Sequence, residues 1–145
     1  MKIDQLYIEQ VIASRTWKIR QEVLYPHGSL KDVMIDDDFE GTHFAATIEG
    51  VLVGVISVFE IDEGCYQFRK FAVLPNFQGY GIGTALLHAV FNFCRLWRAS
   101  SLFCDARIGA VSFYEGFGMK IQSQSFFKKG LEYVRMKILL SDELT

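Results

Sequence analysis

Phe71-Ala72-Val73-Leu74-Pro75-Asn76-Phe77-Gln78-Gly79-Tyr80-Gly81-Ile82-Gly83-Thr84 is the stretch whose reading decides the fold. An apolar run stops at Pro75, three glycines alternate with other residues, and an amphipathic helical pattern begins. Glycine takes positive φ freely, and its missing side chain lets a ligand come close to the main chain. A helix beginning here offers unpaired N–H groups and the positive end of its dipole, which suits a phosphate or pyrophosphate. The pattern is not GxxxxGK[ST], because Thr84 rather than lysine follows Gly83. Nor is it GxGxxG, and no early β-α-β half precedes it. What fits is a strand, a proline, then Gln-Gly-x-Gly-x-Gly opening a long helix.

Downstream, Ile82, Leu86, Ala89, Val90, Phe93 and Trp97 fall on one helical face, with Thr84, His88, Asn92 and Arg95 on the other. Residues 101–106 read as a short buried strand and 109–117 as a short helix stopped at Gly118. Two further strands, 119–127 and 132–140, are joined by Lys128-Lys129-Gly130. Upstream come strands over 43–49, 51–61 and 65–73, the first two linked by a tight turn at Gly50 and the last closed by Pro75. Ser14 predicts the N-cap of a helix running to about Tyr25, ended by Pro26 and Gly28. Residues 5–11 fit a strand or a short helix equally. Residues 28–42 read as a polar loop holding Asp36-Asp37-Asp38 and Glu40, either a solvated surface or an acidic rim that attracts a cationic acceptor. The order predicts an α/β (α+β) fold: a mixed, mostly antiparallel central sheet of about six to seven strands flanked by about four helices.

The chain has 145 residues, which suits one domain spanning 1–145. Half the residues are hydrophobic and 13 are Phe, which excludes disorder. A formal net charge of −2, without a block of lysines or arginines, argues against a nucleic-acid partner. Cys65, Cys94 and Cys104 form no CxxC pair and leave an odd count, as in a reduced, cytoplasmic protein. No apolar run reaches the ~18 residues of a membrane span, and Met1-Lys2-Ile3-Asp4-Gln5 lacks the form of a signal peptide, so no membrane partner is expected. His27, His43 and His88 lack metal-ligand spacing, and no metal is expected.

The loop resembles the pyrophosphate-binding Q/R-x-x-G-x-G/A motif of the GNAT acyltransferase superfamily, carried here as Gln78-Gly79-Tyr80-Gly81-Ile82-Gly83. Phe71-Ala72-Val73-Leu74-Pro75 is similar to the family's strand and its ending, where backbone groups align the pantetheine arm. A second signature, Ala110-Val111-Ser112-Phe113-Tyr114-Glu115-Gly116-Phe117-Gly118-Met119, is similar to A-x-x-F-Y-x-x-x-G-F, with Phe117 before Gly118 and Met119 in the final aromatic place. Ile19-Arg20-x-x-Val23-Leu24-x-Pro26 is similar to a subgroup of small bacterial members. The likeness covers roughly residues 15 to 138, and the two signatures stand in the right order.

The resemblance implies direct transfer of an acetyl group from acetyl-CoA to an amine, on a small molecule or a peptide. A catalytically silent module that binds coenzyme A or a protein partner is the alternative, and a homodimer is a further partner kept open. Phe71, Ala72, Val73, Gln78, Gly79, Tyr80, Gly81, Ile82, Gly83 and Thr84 would bind the coenzyme, with the Val73 amide or one beside it polarising the thioester carbonyl. Tyr114 sits where the family often places the acid that protonates the departing thiolate; the competing reading is a packed aromatic beside Phe113 and Phe117. Where some members carry a glutamate on the strand, this chain has Gln67-Phe68-Arg69-Lys70, so the general base falls to His43, Glu60, Asp62 or water. Arg107 replaces an Asn that often touches the coenzyme, and reads equally as a phosphate contact or a surface residue. Nothing in residues 20–42 or the last hairpin names the acceptor.

Overall fold

The structure, a computed structural model, describes residues 5–140. Its strands are β1 (Leu6–Val11), β2 (Thr42–Ile48), β3 (Val51–Asp62), β4 (Cys65–Val73), β5 (Ser101–Arg107), β6 (Lys120–Ile121), β7 (Phe126–Lys128) and β8 (Leu131–Leu139). The α-helices are α1 (Trp17–Leu24), α2 (Leu30–Val33), α3 (Ile82–Leu96) and α4 (Val111–Glu115). Hydrogen bonding orders the strands β1-β2-β3-β4-β5-β8-β6, with β7 on β8; β4–β5 is parallel, and β1–β2, β2–β3, β5–β8, β6–β8 and β7–β8 are antiparallel. The mixed sheet and the four helices match the expectation. Eight strands replace six or seven because the segment 119–127 breaks into β6 and β7. The chain forms two compact units: the chain up to Phe59 with Lys70–Phe93, and Glu60–Arg69 with the chain from Cys94 onward.

In the first unit β1 settles as a strand, pairing Leu6 with Ile48 through Val11 with His43. The β2–β3 turn has Glu49 at φ 51° and Gly50 at φ 81°, the two left-handed residues a type I′ hairpin needs. Ser14 is not an N-cap: it lies in a 3-10 turn, Ala13–Thr16, and α1 starts at Trp17. The turn carries the chain into α1 with Thr16 Oγ1 donating to the Ala13 carbonyl at 2.7 Å. Ile19 of α1 packs with Ala45, Val55 and Ala72, and Val11, Val23, Leu52 and Leu74 close around them. Burial of each such aliphatic side chain is worth about 1.5–3 kcal/mol. On α3, Ile82, Leu86 and Val90 are buried while His88 and Asn92 face solvent, as the periodicity predicts; Leu87 and Phe91, outside the expected face, are buried too, and Ala89 and Phe93 are half-buried. Leu74 N–H donates to the Val53 carbonyl at 2.9 Å and so holds the end of β4, just before the glycines.

In the second unit β4 pairs with β5 over three rungs, Cys65–Ser101, Tyr66–Leu102 and Gln67–Phe103. β5 and β8 form a longer ladder that buries Leu102, Cys104, Ala106, Val134 and Met136. Trp97, expected on the apolar face of α3, lies beyond the helix end and is 62% exposed. The helix expected over 109–117 is shorter, with a 3-10 turn Ile108–Ala110 ahead of α4. It ends at Gly118 as expected: Gly118 has φ 91°, its N–H reaches the Glu115 carbonyl at 2.9 Å, and Met119 N–H reaches the Tyr114 carbonyl at 3.2 Å. That pair of bonds is a Schellman cap, and it seats Met119 in the core where the resemblance has an aromatic. The β7–β8 turn repeats the hairpin device with Lys129 at φ 51° and Gly130 at φ 80°.

Candidate active site

The glycine stretch forms a turn between β4 and α3. Pro75–Phe77 make a 3-10 turn, Gln78 is extended at φ −75° and ψ 152°, and α3 begins at Ile82. Gln78 Nε2 donates back to the Val73 carbonyl at 2.9 Å, which ties the turn to the end of the strand. Gly79 and Gly81 both have φ 84°, a conformation that costs an L-residue roughly 1–2 kcal/mol. A Cβ at either would meet no protein atom within 4 Å, so this side of the turn is open to a ligand. Gly83 departs from the expectation of positive φ. It is helical, and a Cβ there would lie 3.4 Å from Phe71 Cζ, an ordinary packing distance, so neither its backbone angle nor its neighbour demands glycine.

The first bond of α3 runs from Ala85 N–H to the Gly81 carbonyl at 3.0 Å. The N–H groups of Ile82, Gly83 and Thr84 therefore have no carbonyl within the helix, and they sit at the positive end of a 15-residue dipole. These donors and the open glycine backbone are what a pyrophosphate requires. On β4, Lys70 has φ 55°, an uncommon conformation for a lysine inside a strand. Its ammonium donates to the Tyr25 hydroxyl and lies 4.9 Å from the centre of that ring. The sequence carries no signal for this kink.

His43 does not belong to the loop. It is buried on β2, with Nδ1 2.7 Å from Ser57 Oγ and Nε2 2.7 Å from the Asp38 carbonyl. A carbonyl only accepts, so Nε2 carries the proton; Ser57 Oγ accepts from Arg20 Nη2 at 3.0 Å and donates to Nδ1. Both ring nitrogens are thus committed. Burial holds the His43 pKa below its usual value, opposed by the bond to Asp38.

Asp38 corrects the reading of the acidic loop. Asp36, Asp37 and Glu40 are exposed, but Asp38 is 1% exposed and takes a bidentate pair from Arg20, with Nη1–Oδ2 and Nη2–Oδ1 both at 2.9 Å. Trp17 Nε1 and the Ile35 N–H also donate to Oδ2, at 3.0 and 3.1 Å. Burial pushes this carboxyl up, but the bonds from Arg20, Ile35 and Trp17, with the charge of Arg20, outweigh it and hold the pKa below the usual carboxylate value. Arg20, Asp38 and Ser57 form a network that sequence reading missed, because nothing local in the chain links positions so far apart.

In the second unit, Tyr114 on α4 is 9% exposed, with its ring 5.6 Å from Phe68 and 5.2 Å from Phe113. Burial, helped by Cys104, raises its pKa well above that of an ordinary phenol. Arg107 is exposed at the end of β5. Glu60 and Asp62 are exposed at the end of β3, and Glu60 Oε2 accepts from Gly64 N–H at 3.1 Å, so it caps the β3–β4 turn. Gln67 is half-buried in the last β4–β5 rung. Cys94 and Cys104 are buried, and burial pushes each thiol up to about 12, which leaves neither of these two a thiolate at neutral pH. Among the described residues there is no grouping of three or more His, Cys, Asp or Glu that could hold a metal, and no helix is long and apolar enough to cross a membrane.

Comparison with known proteins bears on the fold and the family. The family model described as "Acetyltransferase (GNAT) domain" matches residues 15–140. No curated protein matches the chain. Among solved structures, it is similar to a putative N-acetyltransferase from Lactobacillus plantarum at 15% identity and a TM-score of 0.85, covering 95% of this chain and 100% of that one. A GNAT family acetyltransferase from Elizabethkingia anophelis, solved with acetyl-CoA bound, aligns at 17% identity over 94% of this chain and 99% of its own, with a TM-score of 0.76. The ribosomal-protein-S18-alanine N-acetyltransferase from Escherichia coli aligns at 16% identity over 97% and 98%, with a TM-score of 0.78. Such identities speak to the fold, and the family model speaks to the family: the chain belongs to the GNAT acetyltransferases.

Proposed function

We propose that the chain transfers an acetyl group from acetyl-CoA to an amine on a small molecule or a peptide. The observation that carries this reading is the trio of N–H groups at Ile82, Gly83 and Thr84 that the helix itself leaves without a carbonyl, next to the left-handed Gly79 and Gly81. They are suited to hold the pyrophosphate, with Gln78, Tyr80 and the Phe71–Val73 strand beside it along the rest of the coenzyme. Acetyl-CoA supplies the activated thioester. The acceptor nitrogen attacks its carbonyl carbon, the C–N bond forms, the C–S bond breaks, and the nitrogen loses a proton as the sulfur gains one. A main-chain N–H at Val73 or next to it would stabilise charge on the carbonyl oxygen.

Tyr114 is assigned to the departing sulfur. Its raised pKa keeps the phenol protonated, but full transfer to a thiolate of ordinary pKa, about 8.5, is uphill. Its role is then to donate a hydrogen bond to the sulfur as charge builds there. His43 is not assigned as the base, since both its nitrogens are in hydrogen bonds. The nitrogen's proton goes to water, to Glu60 or Asp62, or the amine arrives neutral. A second reading, a module that holds coenzyme without turnover, is favoured by this same engagement of His43.

The test is incubation with acetyl-CoA and a broad panel of amines and peptide N-termini, following free thiol and acetylated product by mass. Thiol release matched by acetyl-amine supports transfer. Saturable coenzyme binding with no product across the panel supports the module, and no coenzyme binding overturns both.

A further inference from the structure

We infer that Lys120 and Lys137 form a binding site for a doubly charged oxyanion, a phosphoryl group, separate from the glycine turn. The two lysines are direct partners in the β6–β8 ladder and so share one face of the sheet. Like charges directly opposite across a ladder destabilise it. Both line one recess, together with Gly118, Gln122, Ile138 and Leu139.

Among the described residues, Arg135 and Lys128 nearby are matched by a carboxylate and these two are not. Arg135 and Lys128 both pair with Asp105, at 2.9 and 3.6 Å. Among the described residues, no carboxylate lies within 4 Å of the Lys120 or Lys137 ammonium. Two ammonium groups on one recess, with the Gln122 amide beside them, match a dianion; a single carboxylate would leave one charge unanswered. Lysine binds such a group as a point charge on a flexible stem, which suits a phosphoryl oxygen approached from solvent. The recess also opens at a strand end. The ladder to β6 stops at the Lys120–Lys137 rung, whereas β8 continues to Leu139. A ligand there meets the main chain of β8 as well as the two side chains.

The probe is inorganic phosphate, titrated into 15N-labelled protein at fixed ionic strength set with chloride, with acetate as the carboxylate arm. Saturable shifts of the Lys120, Gln122, Lys137 and Leu139 amides with phosphate are expected, together with at least a tenfold loss of affinity at these amides in Lys120→Gln/Lys137→Gln. Any response at Ile82–Thr84 is separate and should be the same in both proteins. In phosphate-free buffer Lys137→Gln should melt no lower than wild type, because the substitution removes a repulsion. Unsaturable shifts, equal shifts in wild type and the double variant, equal affinity for acetate and phosphate, or a phosphate-free Lys137→Gln that melts lower than wild type would each overturn the assignment.

Discussion

Asp38→Ala tests whether the buried network in the first unit is a structural keystone. The Arg20 side chain is fully buried and Asp38 nearly so, and their fork is bidentate at 2.9 Å on both arms. Without the carboxylate, the guanidinium keeps only the Val33 carbonyl at 2.8 Å and Ser57 Oγ, and its Nε already has no partner among the described residues. Trp17 Nε1 and the Ile35 N–H lose their acceptor in the same step. Removing one partner of a buried pair costs about 3–5 kcal/mol, out of roughly 5–15 for a whole domain. With a urea m value of about 2 kcal/mol/M, the unfolding midpoint should fall by about 2 M. Urea titration followed by tryptophan fluorescence reads this directly, since Trp17 is part of the network. Arg20→Met/Asp38→Leu should recover most of the loss, because no uncompensated charge stays buried. A loss below about 1 kcal/mol in the single variant, or a double variant as unstable as the single, would refute the reasoning.

His43 gives a pH prediction. Its folded pKa lies below the usual 6.5 of histidine, so the unfolded chain binds the proton more readily. Its contribution to stability is complete above about pH 6.5 and is lost as pH falls from there through the folded value. Asp38, also depressed, adds a second loss at lower pH, below about 3.9. His43→Gln should flatten the first limb of the urea midpoint plotted against pH; an unchanged limb would remove His43 from it. Gly81→Val, at φ 84°, should melt slightly lower and lose at least about tenfold in coenzyme affinity by calorimetry, and unchanged affinity would sink the pyrophosphate assignment. Tyr114→Phe should lower kcat about 10²-fold with coenzyme affinity nearly unchanged. A rate near wild type would make Tyr114 a packing residue only.

The parts of the fold set by local chemistry could be read from the chain. Gly50 and Gly130 announced their hairpins, Pro75 closed β4, Gly118 capped α4, and the spacing from Ile82 marked α3. The parts set by distant partners could not. Asp38 looks like its exposed neighbours Asp36 and Asp37 until Arg20 is brought to it, and His43 looks like a free imidazole until Ser57 and Asp38 take its nitrogens. Gly83 matches Gly79 and Gly81 in spacing, yet it is helical and has no left-handed backbone angle to satisfy. Position 97 continues the helical period of α3, but the helix has already ended at Leu96.

The three-rung parallel ladder of β4 and β5 has a consequence for how the chain finds its structure. The hairpins at Glu49-Gly50 and Lys129-Gly130 close through two-residue turns and form within microseconds. Cys65, by contrast, must find Ser101 with the whole of α3 in between, so loop entropy is spent before any rung returns it. The hairpins therefore form early, and the β4–β5 register is the late, rate-setting event. Substitutions at Tyr66 or Leu102 should slow refolding of the chain, and so should changes at the two turns, which are already formed when that register is set.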